Sequence, residues 1–86
     1  MGKYRVVLAL SAERDLQDLP RAVRERVVSA IDRLAENARP RGVRKLRGTM
    51  DLWRVRVGDY RVIYHIDDSG RLIDITHIRH RRDAYE

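Results

Sequence analysis

The segment LWRVRVGDYRVIY, residues 52–64, gathers arginines in a way that suits phosphate chemistry. Gly58-Asp59 is a two-residue turn between stretches of alternating apolar and polar residues, which predicts a tight β-hairpin. In that register Arg56 faces Arg61 across the hairpin, and Arg54 lies on the same side. Facing like charges destabilise a sheet unless an anion compensates them, and guanidinium groups bind phosphate through paired hydrogen bonds. We therefore predict that this side, called the arginine face after Arg54, Arg56 and Arg61, binds a nucleic-acid phosphate.

A simpler interpretation of the arginine face is a solvated surface whose charge is eased by Asp74 and neighbouring carboxylates. Sheet faces that only meet solvent usually mix both signs of charge, whereas this face collects arginines. The pattern therefore favours phosphate binding over simple solvation.

The C-terminal stretch HIRHRRDAY adds groups that transfer protons or stack on bases. Histidine exchanges protons near neutral pH, and tyrosine stacks on a base or donates a hydrogen bond. The residues predicted to approach the end of the sheet are His77, His80, Arg81 and Tyr85. Two histidines three residues apart, with no cysteine in the chain, make an incomplete zinc site, so we expect no metal and no cofactor.

The segment 37–50, NARPRGVRKLRGTM, is predicted to be a basic loop, because it contains five basic residues and no acidic one. Such a loop can follow a nucleic-acid backbone without reading its sequence, and a merely solvated loop is equally compatible with the composition. The candidate backbone-contacting residues are Arg44, Lys45 and Arg47.

Composition limits the class of protein. The 86 residues suffice for a single domain, 1–86, and 19 Lys and Arg against 13 Asp and Glu give a net charge of +6. This balance favours a polyanionic partner: RNA, DNA, or an acidic protein that masks the same surface. The absence of cysteine excludes a disulfide framework and a thiolate nucleophile. No apolar run reaches membrane-spanning length, so we predict a cytoplasmic protein with no membrane partner.

The elements that position these groups follow from periodicity. Residues 4–10 are predicted to form a buried strand, and Ser11 to cap a short helix that ends before Pro20. Residues 20–36 carry an apolar stripe typical of an amphipathic helix. Residues 71–78 complete a βααβββ chain of the α+β class, in which a helix hairpin covers one face of a small antiparallel sheet.

The second hairpin is predicted to turn at residues 67–70. This turn places Ile73 beside Tyr64 and Ile75 beside Val62 on the core face, while Asp74 and Thr76 join the arginine face. Both hairpins then agree about which face of the sheet is inside, and this agreement supports the register.

Taken in order, these segments resemble the RelE/ParE superfamily of toxins from type II toxin-antitoxin systems. The resemblance covers nearly the whole chain: the first strand with SAERDLQDLP, then NARPRGVRKLRG, and most specifically LWRVRVGDYRVIYHIDD and HIRHRRDAY. In the RelE branch it implies a metal-independent endoribonuclease, an mRNA interferase, that cuts messenger RNA in the ribosomal A site. It also implies a cognate antitoxin protein, with the ribosome and mRNA as further partners.

The resemblance also implies roles for individual residues. The reaction is attack by a ribose 2′-OH on the adjacent phosphate, which needs a base, cationic donors and an acid for the leaving oxygen. Matching motif positions assign transition-state charge to Arg61, charge or leaving-group protonation to Arg81, and stacking or orientation to Tyr85. Phosphate positioning falls to Arg54 and Arg56.

One departure from the family concerns the general base. RelE has lysines at the positions of Arg54 and Arg56, and a guanidinium with a pKa above about 12 is a poor base. The resemblance implies His80 as the candidate base of this chain, since some relatives have a histidine beside the C-terminal arginine.

Two alternatives remain at this stage. ParE toxins share the fold but bind and poison DNA gyrase without a nuclease site; the arginine face and the HRRDAY tail favour RNA cleavage instead. A non-catalytic RNA-binding module would use the same basic face for affinity alone, and cyclic-phosphate ends on its RNA would exclude it.

Overall fold

The computed structural model describes residues 3–46 and 51–82. Two helices and five strands follow one another in this part of the chain, and they confirm the α+β class. Their bounds are β1 Arg5–Leu8, α1 Leu10–Gln17, α2 Arg21–Glu36, β2 Arg44–Lys45, β3 Leu52–Val57, β4 Tyr60–Asp67 and β5 Leu72–His80.

The sheet is mixed, with the strand order β1-β5-β4-β3-β2, rather than purely antiparallel as predicted. The two helices carry the chain from β1 at one edge of the sheet to β2 at the other. The antiparallel strands that follow lead back across the sheet to β5, which runs parallel to β1. The segment predicted to be only a basic loop also contains a short strand, since Arg44 and Lys45 pair with β3. Neither helix in the described residues is long and apolar enough to cross a membrane.

The register of the β3–β4 hairpin is confirmed residue by residue, including Arg56 opposite Arg61 and Trp53 opposite Tyr64. Gly58 adopts a φ of +60° in the turn, a left-handed conformation that glycine tolerates because it has no Cβ. The turn therefore fixes the partners on both strands, as the sequence pattern predicted.

The β4–β5 register differs from the prediction by two residues. Ile73 lies beside Ile66 and Ile75 beside Tyr64, because strand pairing continues to Asp67 opposite Leu72 and the turn begins later. A shift of two residues preserves the faces, so Ile73 and Ile75 still belong to the core.

A β-bulge then interrupts β5 after Ile75. Thr76 has no pairing partner there and donates its hydroxyl to the carbonyl oxygen of Ile63, with an O···O distance of 3.1 Å. The extra residue reverses the alternation, so Ile78 rather than His77 faces Val62 in the core. The prediction that Asp74 joins the arginine face is confirmed, since it lies opposite His65 on that face. Thr76, which was predicted to join the same face, is the extra residue of the bulge.

The core lies between the helices and the face of the sheet opposite the arginines. The predicted stripe of helix α2 consists of Val23, Val27, Ala30, Ile31 and Leu34. The last four are buried, Val23 is partly buried against the core, and Pro20 precedes the first turn. The Tyr64 ring is fully buried, and its hydroxyl donates to the carbonyl oxygen of Ala38 at 2.8 Å. This apolar layer holds β3, β4 and β5 in place behind the arginine face.

Helix α1 begins two residues earlier than predicted, with Ala9 rather than Ser11 at its N-cap position. The Ser11 hydroxyl instead donates to the carbonyl oxygen of Thr76 at 2.7 Å, and the Asp15 carboxylate accepts the backbone N–H of Ile78 at 2.9 Å. Strand β1 stops pairing with β5 at Ile75. Beyond that point the Ser11 and Asp15 side chains provide hydrogen bonds for the backbone groups at the edge of β5.

Candidate nucleic-acid interface

The arginine face is built from two adjacent rows of side chains that cross the sheet. In the first row Arg56 lies opposite Arg61, and Arg61 lies opposite Arg79 on the next strand. In the second row, the residues in order across the sheet are Arg44, Arg54, Ile63 and His77. Cross-strand neighbours lie about 5 Å apart, so the sheet concentrates guanidinium groups on one side.

The positive charge of the first row is not neutralised within the described residues. No carboxylate oxygen of segments 3–46 and 51–82 lies within 4.0 Å of a guanidinium nitrogen of Arg56, Arg61 or Arg79. Asp74 shares the face but forms no such ion pair, so the simpler interpretation of a charge-balanced face loses its main support. Guanidinium groups without a carboxylate partner are able to bind an external anion.

Backbone carbonyls orient two of these side chains. The Arg56 Nε–H donates to the carbonyl oxygen of Gly58 at 3.1 Å, and an Arg61 Nη1–H donates to the carbonyl oxygen of Arg81 at 3.2 Å. A neutral carbonyl fixes the direction of a guanidinium group without cancelling its charge. Both arginines are therefore partly pre-organised for a ligand.

Arg54 shows the electrostatic consequence of this crowding. Burial lowers the pKa of its guanidinium group, and the neighbouring charges of Arg61, Arg44 and Arg56 lower that pKa further. Next to it, Ile63 is only 2% exposed although it lies on the arginine face. Arg54 therefore lies beside an apolar side chain. Attraction between a charge and an anion is stronger next to apolar groups than in open water.

Two of the C-terminal candidates that the structure describes, Arg81 and His80, lie in different places. The Arg81 backbone N–H donates to the carbonyl oxygen of Asp59 at 2.7 Å, which ties Arg81 to the hairpin turn and, through its own carbonyl, to Arg61. The bulge places His80 opposite Tyr60 on the helix side of the sheet, where the two rings meet edge to face at 5.0 Å. The structure therefore brings Arg81 to Arg61 but separates His80 from the arginine face.

The His80 imidazole already makes one hydrogen bond that restricts its chemistry. The backbone N–H of Arg82 donates to its Nδ1 at 3.2 Å. Nδ1 is then an acceptor, so the proton of the neutral ring resides on Nε2. Proton uptake at Nδ1 requires this bond to open first.

The basic-segment candidates also divide between the two sides of the sheet. Arg44 pairs with Arg54 and belongs to the arginine face. Lys45 pairs with Trp53 on the other side, forms a 3.6 Å ion pair with Asp51 and lies 5.8 Å from the Trp53 ring centroid. Arg47 and Tyr85 lie outside the described residues.

Sequence reasoning missed Arg79 as a member of the arginine face. Simple alternation places it on the other side, and only the bulge at Thr76 brings it opposite Arg61. Its one sequence signal is the unbroken basic character of residues 79–82, which does not specify a face.

A second surface feature is a groove of about 720 Å³ between α2 and β3. Val55 and Val57 contribute to its apolar lining. Its charged lining is mainly positive, with Glu25 as the acidic residue among Arg26, Arg33, Arg41 and Arg56. The positive surface therefore extends beyond the arginine face, in a form that suits an acidic polypeptide.

Comparison with known proteins gives a consistent result. The family model described as "ParE toxin of type II toxin-antitoxin system, parDE" matches residues 6–85. Toxin RelE of Mycobacterium tuberculosis is 36% identical over 83 residues, which cover 95% of this chain and 86% of that protein.

Two crystal structures of complexes contain chains with the same fold. The archaeal RelE–RelB complex from Pyrococcus horikoshii matches with a TM-score of 0.82 and 38% identity, covering 95% of this chain and 99% of that one. The toxin-antitoxin complex RelBE2 from Mycobacterium tuberculosis matches with a TM-score of 0.82 and 31% identity, covering 92% and 99%. The chain therefore belongs to the RelE/ParE superfamily of type II toxin-antitoxin toxins, in its RelE-like branch.

Proposed function

We propose that this toxin is a metal-independent endoribonuclease that cuts messenger RNA in the ribosomal A site and thereby inhibits translation. The observation that carries the proposal is Arg56 opposite Arg61 on the arginine face, with no carboxylate of the described residues to neutralise either one. A phosphodiester that gains negative charge during cleavage is stabilised by fixed cations at this position.

The proposed reaction is a transesterification within the RNA. A base removes the proton of the ribose 2′-OH, the 2′ oxygen bonds to the adjacent phosphorus, and the bond from phosphorus to the 5′ oxygen breaks. The leaving oxygen takes up a proton, and the products are a 2′,3′-cyclic phosphate and a 5′-OH end. Arg54 and Arg56 position the phosphate, and Arg61 stabilises the transition-state charge.

In this scheme Arg81 stabilises the transition-state charge or protonates the leaving oxygen. Its carbonyl oxygen accepts a hydrogen bond from Arg61, so its backbone lies next to that residue. Tyr85 orients or stacks on a base, as the family motif implies. His80 is the proposed base. Because its ring lies on the helix side of the sheet, this role requires residues 80–82 to rearrange on binding RNA, so that the ring reaches the arginine face and Nδ1 is released from the Arg82 N–H. The proposed contacts to the RNA backbone come from Arg44, Lys45 and Arg47.

A cognate antitoxin is the proposed protein partner. The related toxins from Pyrococcus horikoshii and Mycobacterium tuberculosis were crystallised in complexes with antitoxins. An acidic antitoxin segment matches both the arginine face and the groove between α2 and β3 in charge. The further proposed partners are the ribosome and messenger RNA, and the proposed location is the cytoplasm.

DNA gyrase finds no support as the target. The relative and the two complexes described above are named RelE or RelBE, and none of these names refers to gyrase. A purely RNA-binding role differs from cleavage in a measurable way, because only cleavage leaves cyclic-phosphate ends.

The test is primer extension and end analysis of a reporter messenger RNA in a translating extract and in free solution. Wild-type protein should cut at codon positions only when ribosomes are present. Arg61→Ala and Arg81→Ala should each slow cutting about 100-fold or more, because each removes a cation from the transition state. Arg21→Ala, which removes an exposed arginine of α2, is the matched control and should cut like wild type.

Retained cutting in Arg61→Ala or Arg81→Ala would contradict the role of that residue. No cutting by folded wild-type protein in either setting would contradict the nuclease, and a gyrase supercoiling assay would then come next.

A further inference from the structure

The bulge in β5 gives the arginine face a further guanidinium group, Arg79, that strand alternation did not predict. Arg56, Arg61 and Arg79 stand side by side on three neighbouring strands. Cross-strand neighbours on one face are about 5 Å apart, which is close enough for adjacent guanidinium groups to contact one polyanionic strand.

The contacts of Arg79 differ from those of a structural arginine in the same protein. Arg39 forms a bidentate ion pair with Asp68, at 3.2 and 2.9 Å, and lies 4.9 Å from the Trp53 ring centroid. Arg79 has no carboxylate partner among the described residues, and its buried Nε–H has no hydrogen-bond acceptor there. An unpaired buried donor destabilises the folded state, so stability alone does not explain an arginine at this position.

His77 holds the other end of the Arg79 side chain. Arg79 Nη2 lies 3.2 Å from His77 Nδ1, two residues earlier on the same face. A guanidinium group only donates, so Nδ1 is the acceptor in this hydrogen bond. The Asp15 carboxylate, 3.7 Å from the same Nδ1, is already engaged by the backbone N–H of Ile78.

We propose that Arg79 is a further phosphate-binding residue, which contacts a backbone phosphate beside the one at Arg61, and that His77 is its positioning residue. This inference rests on the proposed function, because it takes RNA as the ligand of the arginine face. It adds a contact that extends the site across a third strand. It also explains why an arginine with no carboxylate partner in the described residues follows the bulge.

Binding and cleavage are separated by the choice of probe. A fluorescein-labelled single-stranded 2′-O-methyl oligoribonucleotide carries the phosphates but no free 2′-OH, so it binds without being cut. Fluorescence anisotropy at several salt concentrations gives both Kd and its salt dependence. Arg79→Gln removes the charge, Arg79→Lys keeps it, and Arg21→Gln removes one charge from the helix side of the molecule as the matched control.

Arg79→Gln should weaken binding about tenfold, the value of one hydrogen bond to a charged group, and lower the slope of log Kd against log salt by about 0.7. Arg79→Lys should recover part of the affinity and the whole slope. Arg21→Gln should leave both unchanged apart from a small uniform effect of net charge. Thermal unfolding of each variant shows that the compared proteins are folded.

The positioning role of His77 has its own readout. His77→Phe removes the acceptor and should weaken binding nearly as much as Arg79→Gln, while the double variant should bind no more weakly than either single variant. Additive effects of the two substitutions would overturn the positioning role. They would show that His77 acts independently of Arg79.

The outcomes distinguish this inference from the proposed nuclease. If Arg79→Gln binds the probe like Arg21→Gln while wild-type protein cuts messenger RNA in a translating extract, the inference about Arg79 is wrong and the nuclease stands. If binding depends on Arg79 but wild-type protein never cuts, the nuclease is wrong and the phosphate contact stands. Wild-type protein with no affinity for the probe would overturn the contact.

Discussion

At the scale of single residues, the main feature is positive charge placed where folding alone does not favour it. Arg56 faces Arg61, and burial together with three neighbouring arginines lowers the pKa of Arg54. The two-residue turn at Gly58 was enough to predict this arrangement from the sequence, because it fixes every cross-strand pair. Arg79 was not predictable in this way, since its face depends on a bulge that strand alternation does not reveal.

Inorganic phosphate should therefore stabilise the folded protein beyond the effect of ionic strength. An anion that binds the arginine face relieves the repulsion between the facing arginines. The expected gain in the free energy of unfolding is about 1.4 kcal/mol when phosphate is at ten times its Kd. The measurement is the unfolding temperature, Tm, in sodium phosphate and in sodium chloride of equal ionic strength.

Arg61→Gln should lose this phosphate-specific increase in Tm, whereas Arg21→Gln should retain it. An equal increase in all three proteins would show that phosphate acts by exclusion from the protein surface and not by binding to the arginine face.

At the scale of elements, helix α1 completes the edge of the last strand. Its Ser11 and Asp15 side chains bond to Thr76 and Ile78, where β1 no longer pairs with β5. The sequence indicated the helix correctly but assigned Ser11 to a local cap. A local pattern does not contain this contact, because residues 65 positions apart in the chain make it.

Asp15→Ala should destabilise the protein, because it leaves the Ile78 N–H without its acceptor. The expected loss in the free energy of unfolding is about 1–2 kcal/mol, and Asp15→Asn should lose less because its side-chain oxygen still accepts. Urea unfolding gives the stability, and amide hydrogen exchange measured by NMR reports Ile78 directly. Unchanged protection of the Ile78 amide in Asp15→Ala would contradict the assigned hydrogen bond.

At the scale of the whole molecule, a polar cluster joins distant parts of the chain. Asp68, in the turn between β4 and β5, accepts hydrogen bonds from the Tyr4 hydroxyl at 2.8 Å and from the Arg39 fork. Arg39 also lies over the Trp53 ring. The cluster therefore links the beginning of the chain, the segment after α2, strand β3 and the second hairpin.

The sequence identified Asp68 only as a turn residue. A turn residue can be predicted from its immediate neighbours in the sequence. The partners of Asp68 lie 64 and 29 residues away, so these contacts depend on the completed fold. The same contrast holds across the molecule. The helix stripe and the first hairpin followed from local periodicity, but the bulge, the β2 pairing and the parallel β1 required tertiary contacts.

The cluster should make stability depend on pH in the acid range. The Arg39 fork and the Tyr4 hydroxyl lower the pKa of Asp68 from 3.8 to about 2. A depressed pKa contributes stability that is fully present above pH 3.8 and is lost as the pH falls towards 2. Asp68→Asn should therefore have a lower Tm than wild type above pH 4, and the difference should shrink as the pH approaches 2. Thermal unfolding of both proteins between pH 6 and 2 measures this difference in Tm.

Arg39→Gln removes the fork and should therefore behave like Asp68→Asn. A Tm difference that stays constant over the whole range would show that the ionised Asp68 does not contribute to folding.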